Sequence, residues 1–226
     1  MTPQPSPSGD LRAVLFDSGG VLIRPVGGRW NPRVDFEETV LSHHPAITSE
    51  RFAAAIAVGD RFFAASSSTP DYDDYHRVML RHLGLDPTRR LLADLGREVP
   101  TTTVLEIYPD VMETLNGLRR RGVRMAVVSD AWPGLADGHA ALGIGEFFEA
   151  YAISFELGCR KPDPRMYHHA SNALNLAPAQ CLFVDDDPRL VAAAITLGYE
   201  GRAVCRDSAP SEVPSVTSLV ELLDLF

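Results

Sequence analysis

Four short segments of this chain carry residue types that could act together on a ligand. Asp17 closes the apolar run Ala13-Val14-Leu15-Phe16 and is followed by Ser18-Gly19-Gly20. Ser129 and Asp130 close the run Met125-Ala126-Val127-Val128. Lys161 lies in Arg160-Lys161-Pro162-Asp163-Pro164, just ahead of a helical stretch. Asp185, Asp186 and Asp187 follow Cys181-Leu182-Phe183-Val184. An Asp at a strand end either caps a turn or faces the crevice where open α/β sheets bind ligands. The two glycines after Asp17 let the backbone turn tightly and approach a ligand closely. A strand-end hydroxyl such as Ser129 can hold an anion or simply sit in a turn. Lys161, by residue type alone, is a solvated loop lysine. Three adjacent acids repel one another, and a hard cation such as Mg²⁺ relieves that through carboxylate oxygens. Asp187 has a second use as a helix cap, which leaves Asp185 and Asp186 to be explained.

The elements that must position these residues are legible in two textures. Over Leu11–Ile23, and from Tyr108 to the end, short apolar runs alternate with helical stretches. The further runs are Tyr151-Ala152-Ile153 and Arg202-Ala203-Val204. Runs this short and apolar suit strands of a parallel sheet buried on both faces. Their alternation with helices predicts a doubly wound α/β core with right-handed crossovers. Val111, Leu115 and Leu118 follow Pro109 at helical spacing, and Gly122 ends that helix. Asp163-Pro164 and Asp187-Pro188 read as an N-cap followed by proline at the first helical position. A last helix is expected over Ser218–Leu225. Between Arg24 and Val104 no strand is expected. Amphipathic helices are expected around Phe52–Phe63, Tyr75–Leu83 and Leu91–Leu95, with a loop at Ser66–Pro70.

Composition bounds the rest. The chain has 226 residues, 45% of them apolar and 23% charged. That suits a globular core with a smaller second unit. Lys and Arg number 21 against 30 Asp and Glu, a net charge of −9. No bulk field draws nucleic acid or anionic lipid, so an anionic substrate needs local cations or a metal. Cys159, Cys181 and Cys205 are widely spaced and odd in number, which reads as reduced thiols in a cytoplasmic setting. No apolar run reaches about 18 residues, so no membrane span is expected. Residues 1–10, rich in Pro and Ser, read as a disordered tail rather than a signal peptide. His168 and His169 point about 100° apart on a helix and make a poor metal pair. Asp71, Asp73 and Asp74 read as a solvated helix start. Trp132 reads equally as a packing residue or as part of a substrate entrance.

The order of the four segments resembles the haloacid dehalogenase-like hydrolase superfamily. Leu15-Phe16-Asp17-Ser18-Gly19-Gly20-Val21-Leu22 looks like its first motif and Val128-Ser129-Asp130 its second. Arg160-Lys161-Pro162-Asp163-Pro164 looks like the third and Phe183-Val184-Asp185-Asp186 the fourth. The insertion is similar to the helical cap placed between motifs one and two. The resemblance implies a Rossmann-like core over residues 11–24 and 105–226, with a cap over 25–104. It implies a phosphatase or phosphotransferase acting on a small phosphorylated metabolite, with no nucleic-acid or membrane partner. Asp17 would be the nucleophile and form an aspartyl-phosphate. Mg²⁺ would be held by Asp17, Asp186 and the backbone carbonyl of Gly19. Lys161 would neutralise charge on the phosphoryl group. Ser129 and Asp130, with Lys161, would line the substrate.

Two positions depart from the family pattern. The family's phosphatases usually carry a second Asp two residues after the nucleophile, as general acid and base; here that position is Gly19. The Asp or Asn often found four residues after the metal-binding Asp is here Leu190. Three readings of the first departure stay open. A cap residue among His43, His44, Asp60 and Tyr72 could supply the proton. The substrate could have a good leaving group. Or the chain could bind phosphorylated ligands with little turnover. A 2-haloacid dehalogenase is the alternative reaction with the same nucleophile.

Overall fold

The computed structural model describes residues 11–206 and 211–226. The tail expected over residues 1–10 lies outside them. The chain forms two compact units, one from the chain through Ile23 with Ile107–Phe226, the other Arg24–Glu106. In chain order the elements begin with β1 (Ala13–Phe16) and β2 (Ile23–Pro25). Helices α1 (Phe36–His43), α2 (Ser49–Ala65), α3 (Tyr72–His82), α4 (Arg89–Leu95) and α5 (Thr101–Val104) follow, then β3 (Leu105–Ile107). Next come α6 (Val111–Arg120), β4 (Arg124–Ser129), α7 (Leu135–Ala141), β5 (Ala150–Ile153), α8 (Ser154–Leu157) and α9 (Pro164–Ala173). The last are β6 (Cys181–Asp185), α10 (Pro188–Thr196), β7 (Glu200–Val204) and β8 (Ser215–Val216).

The first unit is built on a parallel six-stranded sheet of order β5-β4-β1-β6-β7-β8. Chain order runs outward from β1 through β4 to β5. It then returns to β6 on the other side of β1. That reversal is the switch point at which open α/β sheets form a ligand crevice beyond the strand ends. The apolar runs are buried on both faces, as a parallel sheet requires. Ala13, Leu15, Val128 and Phe183 meet Met166, Tyr167 and Ala170 of α9 and Val191 of α10. Val14, Phe16, Val127 and Val184 alternate with that set and are equally buried. Asp163 and Asp187 cap α9 and α10 through the amides of Arg165 and Arg189, with proline next in each helix. All three cysteines are free and buried.

The second unit is helical, with departures from expectation. Ile23–Pro25 and Leu105–Ile107 pair as a two-stranded ribbon, so that Arg24 and Pro25 form a strand inside the stretch where none was expected. Strands of three residues are too short to show a period, and an ion pair between Arg24 and Glu106 spans them. The helices expected around Phe52, Tyr75 and Leu91 form as α2, α3 and α4. Helix α1 was not expected, because only Phe36, Thr39 and Val40 of its residues are buried. Where α2 passes α3, a Cβ on Gly59 would sit 2.9 Å from Met79, so the crossing depends on glycine. In the first unit, the expected closing helix forms over Leu219–Leu225 as a 3-10 helix, capped by the Ser218 hydroxyl. No helix among the described residues is long and apolar enough to cross a membrane.

Phe183 packs edge-on against Tyr167 at 5.0 Å directly behind Asp185 and is fully buried. Phe183→Ala is expected to cost about 3–5 kcal/mol of unfolding free energy. Denaturant unfolding measures it; a loss below 1 kcal/mol would mean the sheet repacks without that ring.

Candidate active site

Because β1 lies between β4 and β6, the chemistry-bearing residues emerge side by side. Phe16 is opposite Val127 on β4 and Val184 on β6. Asp17 is thus the first residue past β1, and its amide still donates to the Val184 carbonyl at 2.8 Å. Asp185 ends β6 and Ser129 ends β4, both buried. After Asp17 the chain turns back at once. The Ser18 carbonyl accepts from Leu22 and Ile23, and the Gly20 amide donates to Ile23. Gly20 takes φ +79°, and a Cβ there would overlap the Asp186 carboxylate. Only glycine lets the two loops approach this closely.

Lys161 joins the segments. Its Nζ lies 2.8 Å from Asp17 Oδ1 and 2.7 Å from Asp185 Oδ2, with the side chain only 2% exposed. The other oxygen of Asp185 accepts from the Asp187 amide at 2.8 Å. Asp130 steadies the lysine from behind. Its Oδ1 accepts the Lys161 backbone amide at 3.0 Å, and its Oδ2 lies 3.5 Å from the Arg160 guanidinium. Burial alone would push the Lys161 ammonium down, but Asp17, Asp185 and Asp130 outweigh it and hold its pKa above the ordinary lysine value. Burial raises the Asp185 carboxyl above the usual range, with Lys161 pulling the other way. Burial likewise raises Asp130, again opposed by Lys161. Desolvation and the charge of Asp17 raise Asp186.

Carboxylate oxygens of Asp17, Asp185 and Asp186 lie within 4.8 Å of one another. An all-oxygen donor set with no His or Cys fits a hard divalent cation rather than zinc. Both Asp185 oxygens already accept hydrogen bonds, so Asp17 and the outward-facing Asp186 are the better placed donors. Leu190 adds no ligand: it is partly buried against the apolar cluster under α9 and α10. His43, His44, Asp60 and Tyr72 all lie in the second unit. There His43 hydrogen-bonds Asp94 at 2.8 Å, and Tyr72 packs edge-on to His76.

A family model described as a haloacid dehalogenase-like hydrolase matches residues 11–198. The chain belongs to the haloacid dehalogenase-like hydrolases. It is 34% identical to mouse haloacid dehalogenase-like hydrolase domain-containing protein 3, over 96% of this chain and 95% of that one. It is also 34% identical to a glyceraldehyde 3-phosphate phosphatase of Methanopyrus kandleri, a match spanning 48% of each chain. The solved L-2-haloacid dehalogenase of Xanthobacter autotrophicus shares the fold at TM-score 0.66 and 22% identity, over 95% of this chain and 98% of that one.

Two residues at this site escaped sequence reasoning. Ser154, fully buried at the start of α8 just past β5, accepts the Ala131 amide at 3.0 Å and so ties the loop after Ser129 to the segment after the next strand. A serine following an apolar run was its only signal. His139, on α7, meets Ser18 at 2.8 Å. Nothing local marks a contact made across 121 residues.

Removing the lysine should expose what it balances. Lys161→Met leaves Asp17 and Asp185 facing each other without a cation, and breaking such a buried pair costs about 3–5 kcal/mol. With the cation gone, the Asp185 carboxyl, already raised by burial, is expected to rise further. The cost should then be smaller at pH 5, where Asp185 holds its proton, and grow toward pH 8. Equal losses at both pH values in urea unfolding would refute the charge argument. Gly20→Ala is expected to displace Asp186 and weaken Mg²⁺ binding by at least ~10-fold in calorimetric titration, given how costly overpacking is.

Proposed function

We propose that this chain is a Mg²⁺-dependent phosphoric monoester hydrolase, with Asp17 as the nucleophile. The observation that carries the proposal is one buried ammonium, Lys161, in contact with both Asp17 and Asp185 beside the outward-facing Asp186. A site of that charge pattern can accept a phosphoryl dianion despite a net charge of −9. Relatives named as phosphatases support the reaction class.

In this reading Asp17, Asp186 and the Gly19 carbonyl hold Mg²⁺. When bound, the ion offsets charge on the phosphoryl oxygens. Lys161 donates to one oxygen of Asp17 and orients the carboxylate, so that its other oxygen attacks phosphorus. The bond from phosphorus to the leaving oxygen breaks as the Asp17–phosphorus bond forms. Water then attacks phosphorus as the Asp17–phosphorus bond breaks; its proton passes to the departing inorganic phosphate, and the Asp17 carboxylate is regenerated. Ser129, at the end of the neighbouring strand, donates its hydroxyl to a phosphate oxygen. Asp130 acts through Lys161, whose backbone amide it holds, and lines the substrate pocket from that side.

Gly19 offers the leaving group no proton, and general acid help is worth about 10²–10⁴-fold. The substrate class this site suits best is a small phosphorylated metabolite with a leaving group that departs without such help, such as an acyl or aryl phosphate. The same missing acid favours one second reading, displacement of halide from a 2-haloacid by Asp17. Halide needs no proton to leave, and a dehalogenase shares the fold.

Hydrolysis of p-nitrophenyl phosphate tests both. Turnover is expected to need Mg²⁺, to stop with excess chelator, and to fall by at least ~10³-fold in Asp17→Asn. If the folded wild-type chain shows no turnover, or turnover survives in Asp17→Asn, the phosphatase reading fails. Release of chloride from 2-chloropropionate under the same conditions would establish the second reading.

A further inference from the structure

Beneath the nucleophile loop runs a buried polar chain that the proposed chemistry does not use. Ser18, the residue after Asp17, is 1% exposed, and its Oγ lies 2.8 Å from His139 Nε2. His139 is fully buried on α7, and its Nδ1 lies 3.2 Å from the Tyr151 hydroxyl on β5. Phe148 packs against the imidazole at 5.4 Å and against Phe16 of β1 at 6.3 Å. Burial pushes the His139 pKa down to about 4, so the ring is neutral at physiological pH. A neutral imidazole between two hydroxyls satisfies both of its nitrogens, one donating and one accepting.

The chain's path matters more than its members. Ser18 belongs to the loop after β1, His139 to the helix after β4, and Tyr151 to β5. These are three neighbouring strands in the order β5-β4-β1. On its far side, Asp17 is tied to β6 by its backbone amide. Between Asp17 and the turn at Gly20, Ser18 supplies the one side chain that reaches inward, since Gly19 and Gly20 have none. Glycine is also the residue with the most backbone freedom to lose. A loop made of two glycines and a nucleophile needs an anchor from outside itself.

We propose that His139 is a positioning residue: through the Ser18 hydroxyl it holds the Asp17–Gly20 loop in its reactive geometry and couples that loop to the strand carrying Ser129. The kinetic part of this proposal rests on the reading of Asp17 as nucleophile; the structural part does not.

His139→Phe keeps the ring packing against Phe148 and removes both nitrogens. Ser18→Ala removes the other end of the contact. Two readouts separate the claims. Amide hydrogen exchange over residues 17–23 is expected to speed up in both variants, while β6 and β7 stay protected. Exchange unchanged in folded His139→Phe overturns the proposal, whatever the enzyme does. With p-nitrophenyl phosphate and Mg²⁺, each single variant is expected to lose on the order of 10- to 100-fold in kcat with little change in KM, as expected from a displaced reacting group. The double variant should lose no more than the worse single variant, because both remove one interaction. Fully additive losses, or a kcat within two-fold of wild type, overturn it. His139→Gln, which retains a hydrogen-bonding group, should recover part of the loss; a merely space-filling role would favour Phe over Gln. If exchange rises in the variants but the wild-type chain turns over no phosphate ester, the loop anchor stands and the phosphatase reading falls.

Discussion

The site depends on one ammonium group. Lys161 is placed by the loop between α8 and α9, yet its Nζ contacts carboxylates from the ends of β1 and β6. Three acids converge there, and without the lysine their mutual repulsion and desolvation would oppose folding. With it, one carboxylate is oriented, one is neutralised, and the third faces outward. The fold and the proposed chemistry thus draw on the same contact. The loop that carries Lys161 is itself held in place by Asp130, so the end of β4 also takes part in the balance.

The surrounding structure spends its polar groups on fixing loops. Ser154 holds the segment after Ser129, Asp187 and Asp163 cap the helices behind Asp185 and Lys161, and Asp185 accepts the amide that starts the turn into α10. Each is a short hydrogen bond to a backbone amide. Together they hold strand-end residues in loops that have few side chains of their own to anchor them. Gly20 serves the same end by omission, since any side chain there would push Asp186 away.

Gly19 shapes the reading of function. In a site where every other position carries a charge, a hydroxyl or a close contact, this residue has no side chain to offer. In the proposed reaction that favours substrates whose leaving group departs unaided. The same feature makes the loop after Asp17 more dependent on its neighbours for shape.

Much of this was legible in the sequence for a physical reason. Strands buried on both faces must be apolar throughout, so Ala13–Phe16, Arg124–Ser129 and Cys181–Asp185 announce themselves, and the polar residue ending each is placed at the crevice by the topology alone. Helix starts at Asp163 and Asp187 were readable because caps are local chemistry. Less was legible where the signal was short or spread out. The ribbon of β2 and β3 has too few residues to show a period, and α1 buries too little to mark a face. The tightening of Leu219–Leu225 into a 3-10 helix left no trace in its spacing. At the site, sequence determined which residues end the strands. Only the tertiary structure decided that Lys161 bridges Asp17 and Asp185, that Asp130 holds the lysine's backbone, and that Ser18 meets His139 across 121 residues. Contacts between distant segments follow from how strands are ordered in the sheet, and that order is set by packing energies summed over the whole core, which no local pattern of residues encodes.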